Sequence, residues 1–171
     1  HEVTKEIQFA DAVLGPTSVV SQTEYDRLDR PVTITEGFGS SLSRELKRQY
    51  DANGNLRFAF DGRGHATEYQ YDRLNRRVRI IDALGQTTDL ELDGEGNEEK
   101  RTNRRGFSTT TVFDPLNRPV RQTDALGQEL VWSYDKVGNL LSLIDKREIE
   151  TGYGYDDLNR RSAQHMDIKG N

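Results

Sequence analysis

Apolar and polar side chains alternate in short bursts along this chain. Between Ala66 and Tyr71, the positions Thr67, Tyr69 and Tyr71 share one side, and Glu68 and Gln70 share the other. Period two is the signature of a pleated strand with one face half buried. The alternation recurs at Leu90 and Leu92, at Trp132 and Tyr134, and at Tyr153 and Tyr155. Aromatic and β-branched residues suit such a surface. Returning runs follow: Leu56, Phe58 and Phe60; Val78 and Ile80; Leu140, Ser142 and Ile144. No long 3.6-residue pattern competes. The nearest, Ser40 to Gln49, is read as a longer loop with room for one helical turn.

Each first run ends in Tyr-Asp or a stand-in: Tyr25-Asp26, Tyr50-Asp51, Tyr71-Asp72, Leu92-Asp93, Phe113-Asp114, Tyr134-Asp135 and Tyr155-Asp156. The steps are 25 residues, then 21 five times. A fixed period of that length means one supersecondary unit copied in tandem. The Asp carboxylate can accept backbone N–H groups two or three residues on, closing an Asx turn. Three residues after it stand Asp29, Gly54, Asn75, Gly96, Asn117, Gly138 and Asn159. These residue types adopt positive φ most readily. A type I turn followed by a left-handed residue is a standard bulged hairpin connection. Seven reversals are therefore expected. The second runs close in a further turn with Gly at a fixed offset, as in Asp61 to Gly64, Asp82 to Gly85, Asn103 to Gly106 and Asp124 to Gly127. Glu148 replaces that Gly, so its corner is expected to differ.

The seven stations come in two kinds. Leu74-Asn75-Arg76, Leu116-Asn117-Arg118 and Leu158-Asn159-Arg160, with Leu28-Asp29-Arg30 as a variant, alternate with Gly54-Asn55, Gly96-Asn97 and Gly138-Asn139. The true period is therefore 42. Either neighbouring hairpins meet different partners along a rim, or a duplicated pair has diverged.

The expected fold is all-β, with tandem antiparallel β-hairpin repeats in a curved or spiralling sheet. Residues 25–171 make one domain of seven repeats. Residues 1–24 are a lead-in, with Asp11 to Gly15 read as a degenerate earlier corner. Seven hairpins make about 14 strands, a ribbon of ~65 Å. Open twisted sheets rarely pass about ten strands without curling. An aromatic face of that extent is a sticky patch, and the ends offer unpaired edges. The ribbon must close, pair with another copy, or continue into more repeats. The chain opens on His1 and shows no atypical capping repeat, as repeat arrays usually need. It is expected to be a segment of something longer.

Composition narrows the function. The apolar fraction is 33%, against ~45–50% in globular chains when Gly is counted. The strict repeat argues against disorder, and a strip that buries one face needs few apolar residues. A net charge of −5 lacks the basic footprint of a nucleic-acid binder. There is no cysteine, hence no disulfide frame or thiolate site. No apolar run reaches the ~18 residues of a membrane span.

The station pattern resembles the RHS/YD-repeat family from about Thr23 to Gly170. The segments Gly64 to Gly85 and Gly127 to Asp145 carry the family's Gly, Tyr-x-Tyr-Asp, x-Leu-Asn-Arg or x-x-Gly-Asn, and Asp-x-x-Gly features most fully. The family comprises bacterial polymorphic toxins, insecticidal toxin-complex subunits, wall-associated proteins and the animal teneurins. The resemblance implies a sheet that winds into a hollow shell. In bacterial toxins that shell encloses a C-terminal effector. It also implies a secreted or cell-surface bacterial protein, partnered by further repeats, by itself, or by the enclosed effector. Carbohydrate binding has been proposed for the family as well. The chain is far shorter than a full shell and carries no toxin domain. The self-cleavage segment that ends some bacterial shells is also missing. Asp114-Pro115 does not supply it, because it lies inside a repeat turn.

Candidate chemistry is thin, and the chain reads as non-enzymatic, without cofactor or metal. The seven station Asp residues share one local role as turn formers. Asp51 to Asn55 has the oxygen ligands of an EF-hand start, but Leu56 stands where that loop needs Gly, and Asp93 to Glu98 fails likewise. His65 and His165 have no partner at metal spacing. Gly62-Arg63-Gly64 and Gly94-Glu95-Gly96 lie in turns, not in phosphate loops. Tyr69, Tyr71, Trp132, Tyr134, Tyr153 and Tyr155 could stack on sugar rings. Cross-strand packing is the plainer role, since Leu92 and Phe113 fill equivalent positions. The recurring Arg30, Arg76, Arg118 and Arg160 suit a solvated rim or Asp–Arg pairs between neighbours. The reading is a structural segment of a β-shell that encapsulates an effector. The alternative is a carbohydrate-binding or adhesion module.

Overall fold

The computed structural model describes residues 4–6, 21–37, 39 and 41–167. Asp11 to Gly15 lies outside them. Contacts divide the chain into two compact units, residues 1–87 and 88–171. The first contains β1 (Thr4–Glu6), β2 (Ser21–Tyr25), β3 (Pro31–Glu36), β4 (Arg44–Tyr50), β5 (Leu56–Phe60), β6 (Ala66–Tyr71) and β7 (Arg77–Ile81). The second contains β8 (Thr87–Leu92, counted here although Thr87 falls at the boundary), β9 (Glu98–Thr102), β10 (Ser108–Phe113), β11 (Pro119–Thr123), β12 (Glu129–Tyr134), β13 (Leu140–Ile144), β14 (Glu150–Tyr155) and β15 (Arg161–Asp167). Within each unit every strand pairs antiparallel with the next in sequence. The fold is all-β, and no helix occurs among the described residues.

The chain reverses at all seven stations. The station Asp N–H donates to the carbonyl four residues on, as Asp72 does to Arg76 at 2.9 Å, while the N–H of Asn75 donates back to the Asp72 carbonyl at 3.1 Å. The residue three after each Asp has positive φ, 56–60° at Asp29, Asn75, Asn117 and Asn159, and 91–101° at Gly54, Gly96 and Gly138. A second irregularity follows. In every station hairpin the register slips by one residue just before the Tyr or its stand-in, as between Gln70 and Tyr71, where Gln70 opposes Arg79 but Tyr71 opposes Arg77. The same slip occurs before Tyr25, Tyr50, Leu92, Phe113, Tyr134 and Tyr155. Pairings through the opposite turns, such as β5–β6 and β11–β12, keep a continuous register. Such a bulge adds local twist to one strand of each pair.

Two expectations fail. Ser40 to Gln49 is not a loop with a helical turn: Arg44–Tyr50 is strand β4, paired with both β3 and β5. It alternates after all, with Leu46, Arg48 and Tyr50 half buried and their neighbours exposed. With one aliphatic side chain and long arginine stems as its inner face, the strand has no apolar period to read. The Glu148 corner also does not differ. Glu148 takes φ 63°, and its N–H donates to the Asp145 carbonyl at 2.8 Å. Left-handed backbone costs a residue with a Cβ about 1–2 kcal/mol. Here the closing pair Asp145 N–H to Ile149 carbonyl and two bonds to the Asp145 carboxylate hold the corner regardless.

Burial is shallow. Among the described residues only Gln22, Leu90 and Gly152 are buried. Within each unit the strands form a single layer, with the aromatics half covered. Gly152 is buried because His165, its partner across β14–β15, lies over it in the space a Cβ would take.

Candidate functional site

The site is a repeated interlock along the station rim, built from the turn carboxylate outward. Asp26 Oδ1 accepts the N–H groups of Leu28 at 2.9 Å and Arg30 at 3.1 Å. Asp51, Asp72, Asp114, Asp135 and Asp156 accept equivalent pairs two and four residues on, and Asp93 accepts that of Asn97 at 2.8 Å. The second oxygen takes the side chain at the fourth position. That is Arg in one kind of turn, as in Arg118 Nε to Asp114 Oδ2 at 2.7 Å, and Asn in the other, as in Asn139 Nδ2 to Asp135 Oδ2 at 2.8 Å.

These bonds hold the carboxyls below the ordinary Asp value. The Arg side chain is the main cause at Asp26 and Asp114, the Asn side chain at Asp51 and Asp93, and the backbone N–H of Arg76 or Arg160 at Asp72 and Asp156. At Asp135, desolvation pulls upward and is outweighed by the Asn139 side chain and backbone donors.

The arginines correct one expectation. Arg30, Arg76, Arg118 and Arg160 pair with the Asp of their own turn, four residues back, not with a neighbour's. What Arg30 and Arg118 give the neighbour is different. The Arg118 guanidinium lies over the Tyr134 ring, 4.5 Å from its centroid, and its Nη1 donates to the Asp135 carbonyl at 3.2 Å. Arg30 covers the Tyr50 ring at the same distance.

The station tyrosines answer in the reverse direction. The hydroxyls of Tyr50, Tyr71, Tyr134 and Tyr155 donate to the carbonyls of Pro31, Leu56, Pro119 and Leu140, at 2.9, 2.9, 3.0 and 3.1 Å. Each acceptor is the first residue of the returning strand in the preceding hairpin. Desolvation raises the Tyr71 and Tyr134 phenols, so they keep the proton they donate. Leu92 and Phe113 have no hydroxyl to offer.

The two kinds of turn now have a geometric reason. The Leu-Asn-Arg turn reaches forward with Arg. The Gly-Asn turn reaches forward with Asn: Asn55 Nδ2 meets Asn75 Oδ1 at 2.8 Å, Asn97 meets Asn117 at 2.8 Å, and Asn139 meets Asn159 at 3.0 Å. The left-handed residue is Asn where it receives that bond. It is Gly where φ passes 90°.

Sequence reading placed the turns of the opposite rim by their Gly but gave the Asp or Asn that opens each one no role. Asp61, Asp82, Asn103, Asp124 and Asp145 make the same turn, each carboxylate or amide oxygen accepting from the second and fourth N–H groups, as at Asp124 with Leu126 and Gln128. The signal was available: each stands ten residues after a station Asp. Lys146 also crosses to Asp124 Oδ2 of the neighbouring turn at 2.6 Å.

The proposed sugar-stacking residues Tyr69, Trp132 and Tyr153 are half buried. Guanidinium groups lie over two of the rings, Arg77 over Tyr69 and Arg161 over Tyr153, each 5.5 Å from the centroid. Trp132 is half buried in β12 opposite Leu143. His65 sits 3.1 Å from Asp61 in its own turn, and no cluster of metal-ligating side chains occurs among the described residues.

The fold and rim define a tandem β-hairpin repeat protein. Residues 50–87 and 113–148 match the RHS repeat family. No curated protein matches it. Among solved structures, the Tc holotoxin pore of Photorhabdus luminescens is similar, at 15% identity and a TM-score of 0.70 over 84% of this chain. The TcdB2–TccC3 structure without its hypervariable C-terminal region gives the same identity, coverage and score. The chain spans 9% of the length of each. At that identity the likeness speaks for the fold.

Proposed function

We propose that the chain is a structural segment of an RHS β-shell from a bacterial secreted or cell-associated protein, and that the shell encloses an effector domain carried by the longer chain. The observation that carries this reading is the forward and backward coupling of successive station turns. Arg118 and Tyr134 do not compose a pocket for chemistry; they fasten one hairpin to the next. Repeating that fastening makes a wall, and a wall acts sterically, keeping proteases and solvent from what lies behind it. The likeness to Tc toxin structures supports the same reading. The proposed role is mechanical.

The test is limited proteolysis of the longer protein. With the native repeats, the effector resists cleavage. Arg118→Ala combined with Tyr134→Phe opens the wall and shortens its survival. An effector cut at the same rate in both proteins would end the proposal. Carbohydrate recognition is the weaker reading, because arginines lie over Tyr69 and Tyr153. Saturable glycan binding lost on Trp132→Ala would revive it.

A further inference from the structure

The outer edge of β15 carries an unfilled half of the rim interlock, and we propose that it is a docking surface for a hairpin of the Gly-Asn kind. Where a Leu-Asn-Arg turn is followed by another hairpin in the same unit, three groups are engaged together. The guanidinium covers the next station Tyr, as Arg30 covers Tyr50 and Arg118 covers Tyr134. The carbonyl of the following residue, Pro31 or Pro119, accepts that Tyr hydroxyl. The turn that follows has Gly at its left-handed position, Gly54 or Gly138, each with φ above 90°.

The last station repeats the first half of this set. Arg160 binds Asp156 as its counterparts bind their own Asp, with Nε to Oδ2 at 2.8 Å. Yet its side chain is 73% exposed, against 28% for Arg30 and 25% for Arg118. The difference is a following hairpin, which no described residue supplies beside Arg160. The backbone of Arg161 occupies the position of Pro31 and Pro119, and β15 has no strand on its far side among the described residues. A strand laid there can use its main-chain groups as well.

The surface is selective. A Gly-Asn hairpin led by a Tyr, as those of Tyr50 and Tyr134 are, brings a ring beneath Arg160, a Tyr hydroxyl to the Arg161 carbonyl and a glycine where φ is large. A Leu-Asn-Arg hairpin places a second guanidinium beside the first and offers no Asn amide to pass forward. Like turns therefore fit poorly side by side, and β15 selects the kind of repeat that extends it. This rests on the reading of the chain as a wall segment built of further hairpins. It does not depend on what the wall encloses.

The experiment joins one further hairpin to the full chain after Asn171 through a short Gly-Ser linker, which holds it at millimolar effective concentration. One version appends a copy of Glu129–Ile144. The other appends the same copy with Val137→Leu, Gly138→Asn and Asn139→Arg, which changes only the turn kind. Hydrogen exchange of the β15 amides is the readout. The first version slows exchange at least tenfold over the unextended chain, and the second leaves it within twofold. Arg160→Ala in the body of the chain removes most of the protection. Equal protection by both versions, or none by the first, overturns the selectivity. Either result leaves shell enclosure of an effector to be judged by its own proteolysis test.

Discussion

Arg118 and Tyr134 are bound to each other's hairpin in opposite directions. The guanidinium lies 4.5 Å from the ring centroid, while the Tyr134 hydroxyl donates to the carbonyl of Pro119, the residue after Arg118. Neither contact is local in sequence, and each uses a different property of the two side chains. The stack needs a planar cation over a π face. The hydrogen bond needs a phenol of defined length. The pair therefore fixes both the spacing and the tilt between successive turns.

Removing the phenol should weaken the array without unfolding a hairpin. Tyr134→Phe loses the hydroxyl bond to the half-buried Pro119 carbonyl. The expected cost is about 0.5–1.5 kcal/mol in denaturant unfolding. Phe113→Tyr tests the converse. Its equivalent acceptor is the carbonyl of Glu98, fifteen residues back as Leu56 is from Tyr71, and the substitution should raise the unfolding midpoint.

Arg118→Lys should be nearly as damaging as Arg118→Ala. Lysine keeps the charge, but it cannot hold Asp114 through Nε and Nη2 while Nη1 reaches the Asp135 carbonyl. A point charge does not replace a planar fork. Chemical denaturation of the two variants should give midpoints closer to each other than either is to the parent.

The two classes of positive-φ glycine should respond differently. Gly138 sits at 101° and Gly127 at 76°. Gly127→Asn moves into a conformation that Asn75 and even Glu148 already hold nearby, so its cost should stay under about 1 kcal/mol. Gly138→Val demands φ that a β-branched residue resists, and it should lose about 2–3 kcal/mol. Thermal midpoints of the two proteins would separate the classes.

Acid should loosen the turns. The station carboxyls are held below the ordinary Asp value of 3.8 in the folded chain. With the folded value depressed, their stabilisation is complete above the unfolded value and drains as pH falls through the folded one. The thermal midpoint should be level from neutrality to about pH 5 and fall progressively below that. Asp114→Asn should flatten the acid limb and keep the turn. The amide oxygen of Asn103 already accepts from Arg105 at 2.9 Å and Phe107 at 3.2 Å in an equivalent corner. A midpoint unchanged down to pH 2 in the parent chain would refute the role given to these carboxylates.

Much of the rim was legible before any coordinates. An Asp whose oxygen needs donors two and four residues away, and a Gly or Asn that takes positive φ, announce themselves within a five-residue window. Strand β4 did not, because Leu46 is the one aliphatic residue on its inner face. The Glu148 corner misled because residue preference was weighed without the hydrogen-bond frame around it.

The sequence by itself determined where the chain turns, since the Asp72 carboxylate bonds Leu74 and Arg76 in any context that brings the turn together. Only the tertiary structure decided what the turns do to one another. Tyr134 and Pro119, Arg118 and Asp135, and Asn139 and Asn159 stand 15 to 20 residues apart. No local preference reports a contact made only when neighbouring hairpins lie side by side. The alternation of Leu-Asn-Arg with Gly-Asn was visible as a pattern; its cause is that each kind of turn completes the other.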